Sequence, residues 1–131
     1  TLLLVKRRKF GQYILSMETK KQHLIVKNII GSDLAVSSDD GKKVYQAIFE
    51  ALRREAIVEL DFQGITVVIT AFLNMAIGKL YQDFNGDFLN HHLKLVNVDD
   101  KDKALFKMVV TYAKEYFANQ EAFEQAVEEI L

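Results

Sequence analysis

Thr70 sits in the stretch of this chain with the most chemical promise. Before it run Val58-Glu59-Leu60-Asp61-Phe62-Gln63-Gly64-Ile65-Thr66-Val67-Val68-Ile69, and after it Ala71-Phe72-Leu73-Asn74. The pattern reads as a buried strand, a tight Asp/Gly turn, a second short apolar stretch, and the start of a helix bearing a hydroxyl. A hydroxyl there stands beside helix N–H groups that lack partners. It can cap the helix through its oxygen, or carry a phosphate that those N–H groups would receive. Phe72 and Leu73 either fill the core or form an apolar contact patch with Met75. Asn74 either steadies the preceding loop or hydrogen-bonds a partner. Asp61 ends a strand, where α/β sheets often place ligands, or else its carboxylate accepts turn N–H groups ahead of Gly64.

Other chemistries find little support. The chain has no Cys, which excludes disulfides, thiolate catalysis and Cys-ligated metal. His23, His91 and His92 are its only imidazoles, and an adjacent pair needs distant ligands to hold a metal. No Ser-His-Asp order, Gly-rich phosphate loop or Walker pattern occurs, and the carboxylates are too dispersed to form a catalytic pair. The expectation is therefore a chain that is not an enzyme, with no cofactor and no metal. Lys6-Arg7-Arg8-Lys9 is the basic run. It could grip phosphates or guard a hairpin edge. Against 17 basic residues stand 18 acidic ones, a net charge of −1, which disfavours nucleic acid as a partner. No apolar run approaches the roughly 20 residues that span a bilayer, and Leu2 to Val5 is too short for a secretory core. A cytoplasmic protein without membrane contact is expected.

The elements that must position these residues alternate in type. At 131 residues, with no Pro and six scattered Gly, the chain reads as one domain over 1–131. Leu2 to Arg8 and Tyr13 to Met17 flank Lys9-Phe10-Gly11-Gln12 as a β-hairpin within 1–22. His23 to Lys27 is a short strand. Ser37 caps a helix with Asp40 three residues on, and Ser38 follows the cap. Val44, Ala47, Ile48, Ala51 and Leu52 form its apolar stripe. Ile57 to Phe62 is a strand. Thr70 to about Phe84 is a helix apolar over most of its girth, and Gly78 inside it suggests close backbone packing. Leu93 to Val98 is a strand. A helix begins at Asp99 or Asp100, breaks at Asn119, and gives way to a last helix over 120–131. Such alternation implies central parallel strands with an antiparallel edge and about four helices.

Asp61-Phe62-Gln63-Gly64-Ile65, Ile69-Thr70-Ala71-Phe72-Leu73-Asn74 and Ala76-Ile77-Gly78-Lys79-Leu80-Tyr81 together resemble the STAS-like domain family. So do Ala35 to Gly41 and Phe88 to Asn97. The likeness covers about residues 23–117. This bacterial family is named for its similarity to the STAS domains of anti-sigma factor antagonists and sulphate transporters. The resemblance implies an α/β fold with a mixed, centrally parallel sheet, and sets Thr66 and Ser37 near the edge that carries Asp61. In the antagonists, an Asp-Ser-Ser-Gly-like block follows the strand and turn, and its first Ser is phosphorylated by an anti-sigma kinase of the GHKL ATPase type. That Ser falls on Thr70. The Asp falls on Ile69 and the Gly on Phe72, so neither of those defining residues is present.

The function expected is a non-enzymatic regulatory module that contacts a protein, a GHKL-type ATPase being the partner implied by resemblance, with Thr70 as phospho-acceptor. Contacts are expected from Asp61, Thr66, Phe72, Leu73, Asn74, Ser37 and Ser38. The alternative is a small-molecule or nucleotide binder at the strand C-terminal edge near Asp61, Thr66 and Ser37. The apolar helix faces are also compatible with a homodimer.

Overall fold

The computed structural model describes residues 20–131, leaving aside the side chains of 121–123. The expected hairpin and the Lys6–Lys9 run lie outside the described residues, as does the antiparallel edge the hairpin was to supply. Strands β1 (Lys21–Ile25), β3 (Ile57–Asp61) and β5 (Leu93–Val96) form a sheet in the order β1-β3-β5. Both pairings are parallel, as expected, with Leu24, Leu60 and Leu95 in register. Alternation along β3 sends Val58 and Leu60 into the core. Glu59 and Asp61 take the other face, where Glu59 is in register with His23 and Lys94. A second, two-residue ribbon pairs β2 (Leu34–Ala35) with β4 (Val67–Val68), also in parallel.

Local chemistry explains the connections. Helix α1 (Val26–Ile30) stops at Gly31, which takes φ 71°, a left-handed conformation that costs Gly little. Helix α2 (Ser38–Leu52) starts as its sequence predicts: Ser37 Oγ accepts the Asp40 N–H at 3.0 Å. Its other end closes without Gly. Ala56 N–H bonds Ala51 O, Glu55 N–H bonds Leu52 O, and Glu55 sits at φ 61°, the Schellman pattern with Glu in the place glycine usually fills. After β3, Ile65 N–H bonds Phe62 O and Gly64 adopts φ 82°. This is the expected Asp/Gly turn, with the left-handed residue third, as a type II turn demands.

The run after β4 is helical but not uniform. Thr70–Leu73 is α-helix (α3), Asn74–Gly78 is a π segment, and Leu80–Asp83 is α-helix again (α4). Its girth is apolar because it is enclosed: Phe72, Leu73, Ala76 and Leu80 are wholly buried. Each such large side chain contributes about 1.5–3 kcal/mol relative to exposure. Close packing occurs, though not chiefly at Gly78, where a Cβ would meet Ala113 at an ordinary 3.6 Å. The tight position is Gly41 of α2, where a Cβ would lie 2.5 Å from Phe72 O.

Helix α5 (Gly86–His92) is capped by Asn85, whose Oδ1 accepts the Phe88 N–H at 2.8 Å. His91 and His92 each donate Nδ1–H to the carbonyl four residues back. A 3-10 turn (Asp100–Asp102) leads into α6, a single helix over Lys103–Ile130. The expected break at Asn119 does not occur, because its Nδ2 donates to Glu115 O at 2.9 Å and satisfies the amide within the helix. The expected count of about four helices is thus corrected. Six α-helices occur among the described residues: two predicted ones merge, one is divided by the π segment, and α1 and α5 are additional.

Candidate functional site

Two places draw together the residues singled out by sequence. The first is the carboxyl end of the three-stranded sheet. Asp61 closes β3 and is 3% exposed, the one charged side chain found buried among the described residues. Its Oδ1 accepts the Gln63 N–H at 2.8 Å and the Asn97 Nδ2 at 2.9 Å. Its Oδ2 accepts His23 Nε2 at 2.7 Å. An ionised carboxylate can only accept, so Nε2 carries the hydrogen. Burial by itself would raise the pKa of this carboxyl, but the bonds from Asn97, Gln63 and His23 outweigh burial and hold it below the usual carboxylate range. The three donors come from the three strands or the turns that follow them. Asn97 reaches inward because it adopts φ 58° just past β5, a conformation Asn tolerates better than most residues.

Asp61 is therefore bound to its turn, as one of the two sequence readings held, and to two further side chains that sequence alone did not connect. His23 lies 38 residues away and carried no local signal. Asn97 could have been found: an Asn immediately after a strand and before Val98-Asp99-Asp100 marks a left-handed turn position.

The second place is the edge formed by the β2–β4 ribbon and the start of α3. Leu34 and Val67 are register partners, and Ile69 follows Val67 at the strand period. All three are open to solvent, at 45%, 41% and 42%. Thr70 comes next and is exposed. The expected cap is displaced by one residue. Ile69 occupies the N-cap, so no side chain caps this helix, and Thr70 is the first helical residue. Its hydroxyl is not tied to the helix N–H groups. Asn74 is exposed, whereas Phe72 and Leu73 are fully buried. Those two fill the core and offer nothing to a surface.

Thr66, Ser37 and Ser38 do not converge on Asp61. Thr66 Oγ1 donates towards Asp33, at 3.1 Å to Oδ2 and 3.2 Å to the carbonyl, and its own carbonyl accepts Lys101 Nζ at 3.3 Å. Ser37 serves as the α2 cap. Ser38 borders a groove of about 470 Å³ between the π segment and α6, floored by Met75 and Gly78 and flanked by Tyr112 and Tyr116. Among the described residues no group of His and carboxylates is arranged to hold a metal, and no helix is long and apolar enough to cross a membrane.

Parallel strands joined through helices, with a pinned carboxylate at their carboxyl ends and an apolar ribbon at one edge, define an α/β domain of the kind the sequence resembled. Residues 40–103 match the family model of a STAS-like domain of unknown function. The match is narrower than the resemblance read from sequence. It takes in α2, β3, β4, the Thr70 helix and β5, and leaves β1 and nearly all of α6 outside. No curated protein and no solved structure matches the chain.

Proposed function

We propose that this chain is a non-enzymatic regulatory module that binds a protein partner through Leu34, Val67 and Ile69, with Thr70 as the switch beside them. The observation that carries the reading is the exposure of three neighbouring aliphatic side chains on one short ribbon. Single exposed apolar residues are ordinary, but a contiguous group on a framework this well packed is the mark of a contact surface. A phosphate on Thr70 would add nearly two negative charges directly next to that group. Desolvating the charge against an apolar partner would weaken the complex. The STAS likeness suggests a GHKL-type ATPase acting as kinase as the partner class.

The opposing reading, a small-molecule or nucleotide site at the Asp61 edge, needs polar groups free to meet a ligand. The lone pairs of Asp61, the hydroxyl of Thr66 and that of Ser37 each have a partner within the chain. The test is affinity capture from a bacterial lysate with wild type, Val67→Asp and Thr70→Glu as parallel baits. A GHKL-type ATPase enriched by wild type and lost from both variants is the expected result. Identical captures by all three baits would remove the ribbon and Thr70 from the interface.

A further inference from the structure

Helix α6 is longer than its packing requires. It runs 28 residues, yet among the described side chains those fully buried stop at Ala113. From that point the sequence takes on a different period. Positions 112, 116, 119, 123, 126 and 130 hold Tyr, Tyr, Asn, Phe, Ala and Ile, in alternating steps of four and three. That is the seam of a coiled coil, the a and d positions of a heptad. Val109 is the preceding seam position, and it is spent on the chain's own core. Of the described seam residues beyond it, Tyr112 is 62% exposed, Tyr116 63% and Ile130 83%.

We propose that this seam docks on the same seam of a second copy, as a parallel two-stranded coiled coil over residues 112–130. Four features select that occupant. First, the flanking charges fit a self-pair in one orientation. From Glu115 onward the helix has five Glu and no Lys or Arg. The g positions are Glu115, Ala122 and Glu129, and the e positions are Ala113, Gln120 and Val127. Parallel pairing sets g against e of the other copy and opposes no like charges. Antiparallel pairing sets g against g and brings Glu115 against Glu129. Second, Asn119 is the lone polar residue of the seam, at its middle. An amide both donates and accepts, so it can pair with its own copy, and a single polar seam residue fixes register.

Third, Tyr112 and Tyr116 stand between two hollows. One is the 470 Å³ groove against the π segment, and the other, about 560 Å³, lies among Glu115, Asn119 and Gln120. A neighbouring helix has room for its side chains on both sides of the tyrosines. Fourth, the size suffices. The seam is about 27 Å long at 1.5 Å per residue. Four tyrosine rings, nearly two-thirds open, offer on the order of 400–600 Å². Asn119, Ala126 and Ile130 of both copies extend the contact towards the roughly 1,200 Å² at which specific interfaces begin.

The test is sedimentation equilibrium of the 131-residue chain from low micromolar to submillimolar concentration, beside Tyr116→Glu, with circular dichroism to verify that each folds. Expected are a mass rising to two chains for wild type and a dissociation constant raised about tenfold or more in the variant, at least ~1.4 kcal/mol. Orientation is read from Ala126→Cys, the sole thiol in a chain without cysteine. In the parallel pair the two sulphurs meet and oxidation links the dimer. In the antiparallel pair that brings Glu115 against Glu129, position 126 would face 116 and no link would form. A single-chain mass at every concentration assigns the face to a different protein and overturns the proposal. So does a dimer indifferent to Tyr116→Glu, or one that Ala126→Cys fails to cross-link.

Discussion

The carboxyl end of the sheet and the ribbon edge treat their polar and apolar groups in opposite ways. At Asp61 a charge is buried and three donors surround it. At Leu34, Val67 and Ile69 aliphatic carbon stays in water, and the helix beside them starts with no side-chain cap. The first arrangement stabilises the fold and leaves little for a ligand. The second gives up stability that burial and a cap would have supplied. That sacrifice is the ground on which the proposed partner contact rests.

Substitutions can break this contrast. The largest effect is expected from Asp61→Ala, which strands the Gln63 N–H, Asn97 Nδ2 and His23 Nε2 at once. Removing an acceptor from buried, charge-assisted bonds should cost about 3 kcal/mol, read as a loss of thermal midpoint of roughly 10 °C, with partner binding intact where the protein remains folded. Next comes Gly41→Ala, whose Cβ would press on Phe72 O. Overpacking of that kind costs about 2 kcal/mol, and it should disturb the ribbon edge too, since α3 carries Phe72 and Thr70 together. A Gly41→Ala protein as stable as wild type would show that α2 and α3 can separate freely.

The pH dependence sharpens the contrast further. Asp61 titrates lower in the folded chain than in the unfolded one, so its contribution is fully present above the ordinary carboxylate range. It fades as pH falls through that range towards the depressed folded value. Acid unfolding of Asp61→Asn should therefore be flatter than that of wild type below about pH 4. Identical acid profiles would mean that the carboxylate is not held as the geometry indicates. The smallest effect on stability belongs to Val67→Asp and Thr70→Ala, within about 0.5 kcal/mol in chemical denaturation. Their consequence should be confined to partner binding. A large stability loss in either would turn the ribbon edge into a structural element.

What the sequence made legible followed local rules. Ser37 and Asp40 announced the start of α2, Gly64 its turn, and Val44, Ile48, Ala51 and Leu52 the buried stripe. What it hid depended on distance or on competing local terms. The pairing of His23 with Asp61 spans 38 residues. Strands β2 and β4 have two residues each, too few to show a period. Asn119 reads as a helix breaker by propensity, and its side-chain bond to Glu115 O reverses that. Thr70 was placed one position early because Ile69, an unusual N-cap, offers no side-chain oxygen to mark the boundary.

The π segment at Asn74–Gly78 has a consequence for how this chain tolerates change in length. A π turn is an α-helix that has absorbed one surplus residue. Here the surplus lets Phe72 and Leu73 on one side and Leu80 on the other all face the core. Deleting one residue within the segment would restore an unbroken α-helix. It would also turn one half against the other by about 100° and swing Thr70 away from the ribbon or Leu80 out of the core. The spacing between Thr70 and Leu80 therefore does not tolerate the loss of a single residue.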